Sequence, residues 1–145
     1  MQMKILNARI VLPDREVTNG TLHVAEGRIL SVNAACPEMT LVDFGGDIMI
    51  PGLIDLHVHG SQGADTMDGS VQSFMKMSRA LLQQGTIAFL PTTMNAASEQ
   101  LKKIISIGTE MLPAVNQAEI LGFHMEGPCI SEHFLGAQKK VDLSD

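Results

Sequence analysis

Hydrophobic and polar positions alternate along the first third of the chain, which is the pattern of half-buried strands. Strands are predicted at residues 4–11, 21–24, 28–32 and 41–44. Glu26-Gly27 fits the turn of a hairpin between the second and third of them. Since this segment carries no cluster of catalytic side chains, residues 1–50 are predicted to form a small β domain, a sheet or a sandwich.

The pattern changes to alternating strands and helices over residues 51–145. Strands are predicted at 53–59, 86–90 and 119–124, with Pro91 ending the second of them. Ser70 is predicted to cap the first helix and Gly85 to end it, and Asn95 or Ser98 is predicted to start the second helix. The predicted buried residues are Val71, Phe74, Met75, Ser78, Leu81 and Leu82 in the first helix, and Leu101, Ile104, Ile105 and Met111 in the second. This alternation predicts an α/β fold with parallel strands.

Two histidines end the first of these strands, in the segment PGLIDLHVHG at 51–60. Side chains alternate between the faces of a strand, so His57 and His59 point one way and Val58 the other. Their backbones lie about 7 Å apart by the strand rise, so both imidazoles can reach one ion, and the pair predicts a metal site. A strand end that carries two histidines by chance has the same pattern. Asp55 shares their face and is predicted to support a ligand.

A carboxylate follows the third strand, in the segment HMEGP at 124–128. Ligands of α/β folds bind at the carboxyl ends of parallel strands. Glu126 is therefore predicted to meet His57 and His59 and to bind the same ion. His124 alternates with Glu126, and it either supports a ligand or packs as an ordinary histidine.

Composition adds a few limits to this interpretation. Hydrophobic residues make up 45% of the chain and charged residues 18%, which indicates a folded domain. The net charge of -6 argues against a nucleic acid or an anionic membrane as partner. Cys36 and Cys129 lack the spacing of a metal site, so free thiols and a cytoplasmic location are expected. His23 and His133 are interpreted as an ordinary strand residue and a loop residue.

The segment at 51–60 resembles the first barrel strand of the amidohydrolase superfamily. The segment at 124–128 narrows the resemblance to the N-acetylglucosamine-6-phosphate deacetylases. Further matching segments are GADTMD at 63–68, GT at 85–86, PTT at 91–93 and GAQ at 136–138. The resemblance implies a small β domain followed by about three strands of a metal-dependent (β/α)8 TIM barrel.

The resemblance also implies an activity and a site. The activity is hydrolysis of the N-acetyl group, which yields glucosamine 6-phosphate and acetate, by a protein that is usually a homodimer. His57, His59 and Glu126 correspond to ligands of one or two divalent ions, zinc or iron. Ala137 and Gln138 correspond to the loop that touches the substrate, where the family often has histidine in place of Gln138.

The length sets a further expectation. An eight-stranded barrel needs about 250 residues, and 145 − 50 leaves 95 residues after the β domain. We therefore expect an N-terminal portion without the catalytic aspartate, inactive on its own. One alternative is another amidohydrolase, such as a dihydroorotase or hydantoinase, although these normally carry a carboxylated lysine in place of the Glu126 motif. The other is a non-catalytic metal-binding or dimerisation fragment.

Overall fold

The computed structural model describes residues 2–34, 40–128 and 130–140. The chain divides into two compact units, Met1–Pro51 and Gly52–Asp145. The free thiols predicted at Cys36 and Cys129 lie outside the described residues. Within the described ranges, no helix has the length and apolar character that a membrane crossing requires.

The first unit is a five-stranded sheet. Its strands are β1 (Gln2–Val11), β2 (Glu16–Ala25), β3 (Arg28–Val32), β4 (Thr40–Asp43) and β5 (Ile48–Met49). The order of the strands is β3-β2-β1-β4. The short strand β5 also pairs with β1, further along β1 than β4 does. The first three strands are antiparallel neighbours, whereas β4 and β5 run parallel to β1. Ile5, Ala8, Ile10 and Leu22 form its core, so the predicted strands and hairpin are confirmed.

The second unit alternates strands and helices. Its elements are β6 (Leu53–Val58), β7 (Gly60–Ser61), β8 (Ala64–Asp65), a 3-10 helix (Thr66–Asp68), α1 (Val71–Gln83), β9 (Thr86–Thr93), α2 (Ser98–Thr109), β10 (Glu119–Ile120) and β11 (His124–Met125). The central strand is β9, because it pairs with β6 along one edge and with β10 and β11 along the other. All three pairings are parallel, which confirms the predicted α/β arrangement.

The first helix begins and ends as its sequence predicts. The Ser70 side chain accepts a hydrogen bond from the Ser73 backbone N–H at 3.1 Å, and Gly85 follows the last turn with a φ of 87°. Its buried face differs in part from the prediction, because Val71 is 44% exposed and Met77 is fully buried. The face centres on Met77 and Leu81, which pack against Phe89 of β9.

The second helix begins at Ser98, one of its two predicted starts. Its N-cap is Ala97, which has no capping side-chain bond. Asn95, the other predicted start, lies before the helix, and its side-chain amide bonds to a distant loop. Leu101 and Ile104 are buried as expected. Ile105 is only partly buried and Met111 lies beyond the helix, which ends at Thr109.

Two strand predictions are also corrected. Pro91 does not end the second strand, since β9 continues to Thr93. The missing N–H of a proline is tolerated at an irregularity, and the register between β6 and β9 shifts beside Pro91. The third strand is divided into β10 and β11 around Gly122. The interruption lets the Phe123 ring stack edge-on against Phe74, with ring centroids 6.0 Å apart.

Candidate metal centre

Three side chains converge at the carboxyl edge of the parallel strands. His57 belongs to β6, His59 follows it, and Glu126 follows β11. The two Nε2 atoms are 3.2 Å apart. Glu126 Oε2 lies 3.1 Å from Nε2 of His57 and 3.0 Å from Nε2 of His59. The structure therefore brings together the three residues that the sequence assigned to one site.

The donor set suits a divalent ion. Two imidazole nitrogens and one carboxylate oxygen form a ligand set found in zinc enzymes. Ligands about 2.1 Å from a tetrahedral ion lie about 3.4 Å from one another, close to the separations of His57, His59 and Glu126. Each of these side chains is partly exposed, with His57 the most open at 47%. The cluster fits an ion that keeps a position open for water or substrate.

A backbone carbonyl sets the orientation of the His59 ring. Its Nδ1 lies 3.2 Å from the carbonyl oxygen of Thr92. Since a carbonyl only accepts, Nδ1 carries the proton and Nε2 presents its lone pair to the cluster. This support is typical of metal-binding histidines. Thr92 also fixes the strand itself, because its Oγ1 accepts the backbone N–H of Val58 at 2.9 Å.

Both residues predicted to support the ligands lie beside His57. The Asp55 carboxylate accepts the backbone N–H of His57 at 3.0 Å, so it acts on the backbone rather than on the imidazole. The His124 ring packs edge-on against the His57 ring with centroids 4.5 Å apart. Its Nδ1 donates to the carbonyl oxygen of Leu56 at 2.8 Å. His124 thus joins β11 to β6 directly behind the cluster.

Electrostatics favour the ionised form of Glu126. The Gln138 side chain is the largest influence, and its polar group holds the pKa of Glu126 below the ordinary 4.5. Desolvation of the carboxylate acts in the opposite direction. A carboxylate that stays ionised is ready to bind a cation.

The two residues that the resemblance assigned to substrate binding, Ala137 and Gln138, differ in their exposure. Ala137 is exposed, whereas Gln138 is buried with 8% exposure. The sequence analysis assigns no role at the site to Thr92, and it considers Asn95 only as one of two possible starts of the second helix. Their place at the carboxyl end of β9, between the strands that carry His57 and Glu126, is the signal that identifies them.

The second unit has parallel strands, and a cluster of potential metal ligands lies at their carboxyl edge. These features define the class of protein, which is an α/β protein that holds the first strands of a TIM barrel. The amidohydrolase family model matches residues 48–143. The chain belongs to the amidohydrolase family, whose members are generally metal-dependent.

Individual relatives agree with this assignment. The chain is 33% identical over 144 residues to N-acetylglucosamine-6-phosphate deacetylase of Bacillus subtilis, covering 94% of the chain and 36% of the relative. The crystal structure of N-acetylglucosamine-6-phosphate deacetylase from Pasteurella multocida aligns with a TM-score of 0.85 at 27% identity, over 97% of this chain and 38% of that one. The enzyme of the same name from Thermotoga maritima aligns with a TM-score of 0.76 at 34% identity, over 94% and 35%.

These matches confirm the resemblance that the motifs indicated. The chain spans about a third of the length of the curated relatives it matches. It therefore corresponds to the small sheet and the first barrel strands of these proteins.

Proposed function

We propose that this chain supplies the N-terminal part of a metal-dependent deacetylase that acts on N-acetylglucosamine 6-phosphate. The products are glucosamine 6-phosphate and acetate. The convergence of His57, His59 and Glu126, whose ligand atoms all lie within 4.8 Å of one another, is the observation that carries the proposal. The similarity to deacetylases along nearly the whole chain supports the choice of substrate.

His57, His59 and Glu126 hold a divalent ion, zinc or iron, in this proposal. Such an ion supplies a bound water of lowered pKa and polarises the acetyl carbonyl. The chain's own residues orient the ligands: Thr92 fixes the tautomer of His59, and Asp55 anchors the backbone of His57. Because the Asp55 carboxylate is engaged in this way, we do not assign it the role of general acid or base.

Ala137 is proposed as a substrate contact, since it is exposed on the loop that follows Glu126. The proposed setting is a cytoplasmic homodimer of the whole protein, with a small phosphorylated sugar as substrate. The net charge of -6 argues against a nucleic acid as a partner in this function.

Acetate release tests the proposal. A protein of the relatives' full length that carries this chain is incubated with N-acetylglucosamine 6-phosphate and added zinc or iron. Glu126→Ala is expected to lower the rate by more than about 100-fold, because loss of a ligand costs more than loss of the groups that support ligands. Glu132→Ala, an exposed carboxylate on the same loop, is the matched control. A rate that ignores Glu126→Ala contradicts the metal assignment.

A further inference from the structure

The loop that follows β11 passes unusually close to the end of β9. The two strands are parallel, and Met125 lies opposite Thr93, so Gly127 comes level with Asn95 two residues further on. A Cβ atom added to Gly127 would lie 2.9 Å from Asn95 Oδ1, 3.0 Å from its Cα and 3.1 Å from its backbone nitrogen. Atoms in ordinary contact stay about 3.5–4.0 Å apart, so position 127 has no room for a side chain.

The backbone of Gly127 gives a second reason for glycine at this position. Its φ is 105°, in a region that residues with a Cβ atom rarely adopt. Gly136, further along the same loop, also has a positive φ, of 59°. No atom of the described residues lies within 4 Å of the place where its Cβ would be. The contact with Asn95 therefore separates Gly127 from a glycine that serves backbone conformation alone.

Asn95 is held in place and does not yield readily to a side chain at position 127. Its backbone N–H donates to Gln138 Oε1 at 2.6 Å, and its side-chain Nδ2 donates to the carbonyl oxygen of Lys139 at 2.9 Å. Asn95 is also buried, with 8% exposure. Glu126, in contrast, stands on a loop, and its side chain is 36% exposed. A Cβ atom on residue 127 would therefore displace the loop and not the end of β9.

The place of this loop decides whether Glu126 reaches the two histidines. The strands β6 and β11 pair with opposite edges of β9, so the carboxylate has to reach across the end of the central strand. Relieving the contact at residue 127 requires a shift of about 0.5–1 Å. Metal–ligand distances vary by only about 0.2 Å. A displacement of that size is therefore large enough to disturb the ligand.

We propose that Gly127 is a positioning residue of the metal centre. Because it has no side chain, the loop lies against Asn95, and this contact brings the Glu126 carboxylate to His57 and His59. The inference rests on the proposed metal site and assigns one of its supports. Gly127 acts through Glu126 alone. Its effect therefore has to appear in metal binding without substrate, and it has to vanish when Glu126 is replaced.

Zinc titration by calorimetry, without substrate, tests this inference on the chain. Gly127→Ala is expected to lower zinc affinity by about 10–100-fold, the usual cost of disturbing a group that supports a ligand. Gly136→Ala makes the same exchange at a positive φ on the same loop, without the close contact, and is expected to keep the wild-type affinity. Equal losses in the two variants would assign the effect to loop strain and overturn the inference.

A double-mutant cycle separates positioning from a general loss of structure. Glu126→Ala leaves His57 and His59, whose weaker zinc binding is the reference. Adding Gly127→Ala to Glu126→Ala is expected to cause no further loss, because the ligand that Gly127 positions is already gone. A further loss as large as that in the wild-type background would show that Gly127 does not act through Glu126, and the inference would fail.

Separate arms distinguish the two levels of the proposal. If His57→Ala and Glu126→Ala both leave zinc affinity unchanged, the metal site itself is wrong. If both lower it but Gly127→Ala retains the wild-type affinity, the positioning role of Gly127 is wrong. The fitted stoichiometry separates misfolding from weak binding, because unfolded molecules lower the number of sites.

A second variant covers the case in which Gly127→Ala fails to fold by circular dichroism. Gly127→Asn then decides, because asparagine adopts a positive φ more readily than alanine and still carries a Cβ atom. Its zinc affinity is expected to fall by about 10–100-fold. A wild-type affinity for Gly127→Asn overturns the inference.

Discussion

The two units of the chain use strand pairing in opposite ways. In the first, β1, β2 and β3 are antiparallel neighbours in sequence, so successive strands end at opposite edges of the sheet. In the second, β6, β9 and β11 are parallel, so their carboxyl ends meet at one edge. Parallel pairing is what brings residues as distant in sequence as His57 and Glu126 into one cluster.

The histidines of the two units illustrate the consequence. His23 lies within β2, opposite Lys4 and Ser31, where its neighbours are other strand side chains. Its ring is half-buried, and the strands beside it run antiparallel to β2. His57 and His59, in contrast, stand where parallel strands share their carboxyl edge. The residue type is the same, and the direction of strand pairing decides whether it reaches other ligands.

The largest expected effect tests whether the two units unfold independently of each other. Phe89 of β9 is fully buried, and Phe89→Ala is expected to lower the free energy of unfolding by about 3–5 kcal/mol. Both described α-helices belong to the second unit, so urea unfolding followed by the helical circular dichroism reports on it. The chain has no tryptophan or tyrosine, which makes this signal the suitable one.

Leu22→Ala is the matched change in the core of the first unit. It is expected to cost about 2–5 kcal/mol there and to leave the helical transition in place. An equal shift of the helical signal by Leu22→Ala would show that the two units unfold as one, and the comparison would then fail.

Much of the fold could be predicted because it depends on local patterns. The strands of the first unit follow from alternation, and α1 follows from its apolar spacing between Ser70 and Gly85. The convergence of His57 with Glu126 followed from a single rule, that parallel strands share their carboxyl edge. Each of these inferences needs only neighbouring residues or the order of elements.

The remaining features depend on contacts between distant residues. Pro91 is a strand breaker by local rules, yet the register shift beside it lets β9 continue. Asn95 has the character of a helix cap, but its backbone N–H bonds to Gln138 and its side-chain Nδ2 bonds to Lys139 instead. Phe123, in the interruption of the third strand, packs against the ring of Phe74 in α1. Sequence periodicity contains none of these pairings.

An intermediate effect is expected from two adjacent threonines of β9. Thr92 and Thr93 are both fully buried, but only the Thr92 hydroxyl has hydrogen-bond partners among the described residues. Thr92→Val leaves the Val58 N–H without its acceptor, which costs about 1–3 kcal/mol. Zinc affinity is also expected to fall, because the Val58 N–H that loses its acceptor lies between His57 and His59.

Thr93→Val is the control for that change, because it removes a hydroxyl that bonds to no described group. It is expected to leave stability unchanged or to raise it slightly. Urea unfolding and zinc titration of both variants measure the difference. Equal losses would mean that the Thr92 hydroxyl has no special role at the strand end.

The smallest expected effect concerns the acid sensitivity of the first unit. The Gly45 backbone N–H, followed by the Asn7 side chain, holds the pKa of Asp43 below its ordinary value of 3.8. Stability from these bonds is therefore complete above that value and is lost as pH falls through the lower folded pKa. Asp43 is exposed, so the change is modest.

Asp43→Asn is expected to reduce the fall in melting temperature of the first unit, followed by its β-sheet signal in circular dichroism, between neutral pH and about pH 3. Asp47→Asn, which alters the charge equally a few residues away, should keep the full fall, and identical curves for both variants would contradict the role of Asp43.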